Sequence, residues 1–234
     1  MTKRVYTWRS AAAVSLVAAA LAVALYSSGV GSGGTNPLAN LPLAPVSTLG
    51  RLSASPAPGP IGPEDVPIPA APQLAQASAP APGGEVDGIA CAPLEQLVYH
   101  IHVHLTIFVD GRQQQVPVGI GIAPPLQVDR TPLGDFAVSG ACFSWLHTHA
   151  SDGIVHIESP VDRTYTLGQF FDIWKQPLGA DRVGPAHGPV AAFFDDRRYV
   201  GNPRSIPLLR HAQIQLDVGR PLIQPESIHF PPGL

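Results

Sequence analysis

The chain has 234 residues, of which 45% are hydrophobic and only 13% charged, with 27 Pro and 23 Gly and a formal net charge of −3. Low charge with a positive mean hydropathy of +0.14 excludes a highly charged disordered protein. The charge balance leaves no basic footprint for nucleic acid, and nine His stand against a single Met.

The N-terminus reads as a targeting segment. Lys3, Arg4 and Arg9 precede an uncharged run from Ala11 to Tyr26, and no further basic residue follows until Arg51. That asymmetry keeps the N-terminus inside and sends the rest across the membrane. Sixteen residues fit a signal-peptide core. Extended to Val30, the run reaches about 30 Å as a helix, enough for a membrane anchor. Residues 1–30 are therefore a signal-anchor or a cleaved signal peptide, with membrane contact through 10–30. The expected location is the cell membrane, single-pass with the C-terminal domain outside the cytoplasm, or secreted or periplasmic after cleavage.

Residues 31–87 lack aromatics and hold five charged residues. Stretches such as Ser55-Pro56-Ala57-Pro58-Gly59-Pro60 cannot build a core of their own, so this part reads as a disordered Pro/Ala/Gly-rich linker. The globular domain is then 88–234, which contains all nine His.

Within it the pattern is mostly β. Tyr99, Ile101, Val103, Leu105, Ile107 and Val109 alternate with His100, His102, His104, Thr106 and Phe108, the signature of a strand with two unlike faces. Asp110-Gly111 marks a hairpin turn, with Val116 to Ile122 as the expected return strand. A second hairpin runs from Phe143 to His149 and back from Ile154 to Glu158. Thr166 and Gln169 form a capping box ahead of Phe170, Phe171, Ile173 and Trp174, and Pro177 and Gly179 stop this helix. Strands follow at Val190 to Phe194 and Leu208 to Val218. The fold class expected is α+β and β-rich: an antiparallel-rich sheet with one packed helix, preceded by an N-terminal hydrophobic helix and the linker.

Cys91 and Cys142 are the only cysteines. An even pair in an exported domain points to a disulfide, worth about 4 kcal/mol in the chain-entropy model. Metal ligation is the alternative, but no Cys-x-x-Cys spacing supports it. A Cys91–Cys142 bond would bring together the starts of the two His-bearing strands.

The histidines carry the chemistry. His100, His102 and His104 share one face of a strand, with neighbours about 6.7 Å apart along it. With metal–nitrogen bonds of about 2 Å, two adjacent imidazoles can share an ion, but three on a straight strand cannot readily do so. His147 and His149 repeat the pattern, and the return strand adds His156 and Glu158. A two-residue turn sets His149 opposite His156; a four-residue loop at 150–153 sets His147 opposite His156. Both registers put the four side chains on one face.

The expected metal ligands are His147, His149 and His156, helped by His100, His102 and His104. Imidazole donors with one Met and no free thiol suit a divalent transition metal, Zn or Cu. Glu158 is the candidate catalytic base on a metal-bound water, or an acceptor that orients a His. His211 can approach the cluster, whereas His187 and His229 look incidental. Three functions fit: metal capture or delivery, a metal-dependent enzyme activating water or oxygen, and an envelope interaction domain with a structural His cluster. Protein partners cannot be read from the sequence.

The segments Tyr99–Leu105 (YHIHVHL), Trp145–His149 (WLHTH), Ile154–Pro160 (IVHIESP) and Leu167–Trp174 (LGQFFDIW) resemble an uncharacterised family of exported bacterial and archaeal His-rich proteins. The resemblance covers about 88–234 and implies a shared fold and a shared His site, without an activity. Relatives often carry Asp directly after His-Thr-His; this chain has Ala150 there, and its nearest Asp is Asp152.

Overall fold

The computed structural model describes residues 38–234, and Asn40–Leu234 forms one compact unit. The expectations for 1–30 lie outside the described residues. Among the described residues no helix is long and apolar enough to cross a membrane.

An eight-stranded sheet organises the unit. Its strands, numbered in chain order, are β1 (Leu43–Ala44), β2 (Tyr99–Val109), β3 (Arg112–Gln114), β4 (Leu146–His147), β5 (Ile154–Ser159), β6 (Val190–Phe194), β7 (Arg197–Tyr199) and β8 (Gln213–Val218). The sheet order is β1-β7-β6-β8-β2-β5-β4, with β3 folded back on β2. Only the β2–β8 pair is parallel. The architecture is α+β, strand-rich and mostly antiparallel, as the composition pattern predicts.

The period-two alternation gives the sheet two unlike faces. Ile101, Val103, Leu105 and Ile107 of β2 turn to one side, joined by Leu146, Val155, Ile157, Ile214, Leu216 and Val218 from neighbouring strands. There they meet Leu167, Phe170, Phe171, Ile173 and Trp174 of the helix α1 (Leu167–Trp174), all fully buried. Each such side chain contributes about 1.5–3 kcal/mol of burial. The capping box forms as expected: Gln169 N donates to Thr166 Oγ1, and Thr166 N donates to Gln169 Oε1. Lys175, in the left-handed conformation, ends the helix.

The opposite face carries the His side chains and is covered too. From β8, Asp217 Oδ2 accepts from Ile223 N at 2.7 Å, and Gln215 Oε1 accepts from Glu226 N at 2.9 Å. Gln213 Oε1 accepts from Ile228 N at 3.2 Å. These bonds tie the C-terminal stretch across the sheet by backbone groups that would otherwise lack partners.

The strand expected from Leu208 to Val218 begins only at Gln213, after a turn, and three further expectations change. The return strand after Asp110-Gly111 is the short β3, not 116–122, because Gly119 and Gly121 sit at positive φ and turn the chain out of the sheet. The Phe143–His149 strand divides at Trp145: Phe143–Ser144 pairs with Ile89–Ala92, and Leu146–His147 pairs with β5. Third, the described part of the 31–87 linker is laid on the domain rather than disordered. Leu43 pairs with Tyr199, Ser53 bridges Ile223, Leu74 N donates to Gln115 O at 3.0 Å and Trp174 Nε1 donates to Gln76 O at 2.9 Å. A Pro-rich chain cannot make a core alone, but its extended backbone needs few partners and takes them from the folded domain.

The Cys91–Cys142 disulfide is present, with Cα atoms 5.4 Å apart. It joins the strand Ile89–Ala92, ahead of β2, to the residue just before the strand Phe143–Ser144, ahead of β4, so both His-bearing segments start from one covalent point.

Candidate metal centre

The sheet register builds the site. β5 lies between β2 and β4, and His156 stands opposite His102 on one side and His147 on the other. This is the register of a four-residue loop. Glu158 pairs with His100. Because directly opposed residues share a face, His100, His102, His147, His156 and Glu158 all project to the same side.

Two glycines fix the turns that place them. A Cβ on Gly121 would lie 2.3 Å from Leu146 O and 3.0 Å from His147 Cβ, so only glycine lets the loop press against β4. Gly153, at φ 90°, leads into β5 where a Cβ would meet Leu105 O at 2.5 Å.

Two overlapping groups of donors result: His100, His102, His156 and Glu158, and His147, His149, His156 and Glu158. In each group the donor atoms lie within 4.8 Å of one another. In the first, His100 Nε2 is 3.0 Å from His102 Nε2, which is 3.1 Å from His156 Nδ1. Glu158 Oε1 closes the ring, 3.4 Å from His156 Nδ1 and 3.2 Å from His100 Nε2. A point amid four donors so spaced lies about 2.0–2.3 Å from each, close to ordinary zinc–nitrogen and zinc–oxygen bond lengths. In the second group His147 Nε2 is 3.0 Å from His149 Nε2 and 3.9 Å from Glu158 Oε2. Buried His and Glu side chains are thus close enough to hold a metal ion.

No protein-family model, curated protein or solved structure matches the chain. The chemistry of the site therefore rests on its own geometry.

The hydrogen bonds behind the rings settle which nitrogen is free. His147 Nδ1 is 2.9 Å from Ser144 O, and His149 Nδ1 is 2.5 Å from Ala137 O. A carbonyl oxygen only accepts, so both Nδ1 atoms carry the proton. In a neutral imidazole the Nε2 atoms then carry lone pairs. His147 Nε2 then keeps its lone pair, and His149 Nε2 lies 3.0 Å from it and 3.3 Å from Glu95 Oε1. Burial, and then the nearby His149 and His156, hold His147 well below the usual histidine range, so a second proton on it is disfavoured. The space between these two nitrogens and the Glu95 carboxylate suits a cation.

His156 is oriented by a carboxylate. Its Nε2 donates to Glu64 Oε1 at 2.8 Å, leaving Nδ1 directed at Glu158 and His102. Burial opposes its charge, but Glu158 and Glu64 outweigh burial and raise its pKa to about 9. In the ion-free domain a proton thus holds the place where a metal would bind. Burial, and then His156 and His100, lower His102 to about 3. The enclosure is nearly complete: only His100, with its side chain 37% exposed, and Glu95, at 35%, open to solvent.

Not every expected residue joins. His104 turns aside and donates from Nε2 to Asp152 O at 2.9 Å. The alternation that puts it on the same face also carries it along β2 away from the cluster. His211 sits in a left-handed turn, stacks on Phe230 and donates to Leu234 O. His187 and His229 are exposed. Asp152 closes the turn before β5, its Oδ1 accepting from Ile154 N at 3.0 Å; burial and the neighbouring Glu64 push its carboxyl well above the usual range.

Two acids at the site are absent from the sequence expectations. Glu64 comes from the segment read as a linker, where nothing local distinguishes it. Glu95 Oε1 lies 3.3 Å from His149 Nε2, and the bond to His149 lowers its pKa. Its place four residues after Cys91 was the one available hint, since the disulfide draws that stretch toward the His147 strand.

Proposed function

We propose that this protein is a transition-metal-binding domain, displayed outside the cytoplasm, whose ion is Zn(II) or Cu(II). The reading rests on the His147–His149 pair: two Nε2 atoms held 3.0 Å apart by backbone acceptors on the far side of each ring, with Glu158 Oε2 and Glu95 Oε1 beside them. Such an arrangement directs two ring nitrogens and two carboxylate oxygens at one place, the donor chemistry that a divalent transition metal takes. An imidazole-rich donor set with a carboxylate suits zinc or copper(II) over calcium or magnesium, which take oxygen ligands. The disulfide supports an oxidising compartment, in keeping with the basic-then-apolar N-terminus. The likeness to exported His-rich proteins belongs to the same proposal.

The deciding experiment is metal analysis of the natively exported full-length chain beside its His147→Ala/His149→Ala variant. The wild type carries zinc or copper near stoichiometry and the variant loses most of it. Equal metal content in the two overturns the reading.

A second reading is an enzyme activating water or oxygen at the metal. The cavity of about 670 Å³ beside His104, Thr106, Asp152 and Gly153 does not serve it, because no residue of the two donor groups lines that cavity. In that reading Glu158 would be the base. Its Oε1 atom, however, lies against two His nitrogens, which favours a ligand role over proton transfer.

A further inference from the structure

We propose that the cluster holds two metal ions, joined by the Glu158 carboxylate. This inference rests on the metal-binding reading and deepens it.

The donors divide into two sets with no atom used twice. The first is His100 Nε2, His102 Nε2, His156 Nδ1 and Glu158 Oε1, linked by successive distances of 3.0, 3.1, 3.4 and 3.2 Å. The second is His147 Nε2, His149 Nε2 and Glu158 Oε2, with Glu95 Oε1 on its open side 3.3 Å from His149 Nε2. Each set contains one tight His pair; His100 and His102 come from β2 on one side of β5, and His147 from β4 on the other, with His149 in the loop that follows it.

Glu158 stands between them and reaches both. It is 4% exposed, and its Oε2 has no hydrogen-bond partner. A buried, unpaired carboxylate oxygen is costly, and a cation is the partner that would satisfy it. One oxygen toward each His pair is the geometry of a bridging carboxylate. Two-metal centres place their ions about 3.5–4 Å apart, a span that a single carboxylate covers. The bonds from His156 to Glu64, from His147 to Ser144 and from His149 to Ala137 orient ligands in both sets. Support behind the rings therefore reaches both sets, at one ligand of the first and two of the second.

The test is titration of the chelator-treated full-length chain with Zn(II) and, separately, with Cu(II). Two equivalents bind per chain. Spin resonance of the two-copper form shows interaction between the ions, which the one-copper form lacks. His100→Ala/His102→Ala and His147→Ala/His149→Ala each retain one equivalent, and Glu158→Gln loses the interaction between ions. One equivalent in the wild type, lost in either double variant, overturns the two-ion proposal and leaves the metal-binding reading standing. No binding at all overturns both. Two equivalents without any interaction between the coppers refute the bridge. The wild-type stoichiometry and spectrum decide the matter even if a variant fails to fold.

Discussion

Glu64 Oε1 accepts from His156 Nε2 at 2.8 Å, across 92 residues of sequence. One partner comes from the Pro-rich stretch before the domain, the other from the central strand that the His-bearing strands flank. The contact makes the N-terminal segment part of the site. It also sets which nitrogen of His156 faces the other donors.

Glu64→Gln should weaken metal binding about 10–100-fold, the usual effect of losing a partner behind a ligating His. Glu64 is not itself in either donor group, so the fold should persist. Competition against a chelator of known affinity, with circular dichroism as the control, checks this. Unchanged affinity would show that the contact does not orient His156.

Gly121→Ala should damage the site without touching a donor atom. The new Cβ would sit 2.3 Å from Leu146 O, at a φ of 75° that side chains rarely adopt. Backbone strain of this kind costs about 1–3 kcal/mol. The loop or β4 must shift, and His147 with it. Urea denaturation should show the lost stability, and metal titration a weaker site.

Replacing Cys91 and Cys142 together by Ala should lower stability by about 4 kcal/mol, for a loop closed across a separation of 51 residues. Metal affinity should fall as well, because the disulfide brings Glu95 and the His147 strand to one place. Chemical denaturation of the chelator-treated chain separates the two effects. A loss under 1 kcal/mol would mean that the reduced chain is already restrained.

The C-terminal stretch should make the ion-free protein less stable as pH rises from about 4 to 7. Burial raises Asp217 to about 6, and burial with the nearby Asp217 raises Glu226 to about 7. Carboxyls raised in the folded state bind protons more tightly there than in the unfolded chain. Their contribution is full below the unfolded values of 3.8 and 4.5 and is lost as pH rises through 6 and 7. Glu226→Gln should flatten that decline. Urea midpoints at pH 5 and pH 8, with chelator present, measure it; the same slope in variant and wild type would remove Glu226 as its source.

The sequence by itself determined the two faces of β2, the helix with its capping box, and most of the side chains that the cluster brings together. These are local properties. Period two in Tyr99–Val109 fixes which side chains share a face, and Thr166 with Gln169 caps the helix through neighbours three residues apart. The pairing of Cys91 with Cys142 followed from there being no other cysteine. Tertiary structure decided the rest. It chose His147 rather than His149 to face His156, because the pairing of β4 with β5 is set by how the 148–153 loop closes over Gly153. It set His104 aside on Asp152 O, a backbone acceptor that only folding brings near. It brought Glu64 and Glu95 to the rings from stretches with no periodicity to read. A Pro-rich segment has too little apolar surface to reveal a docking site in its own composition, and its place becomes visible only once the sheet offers backbone partners to receive it.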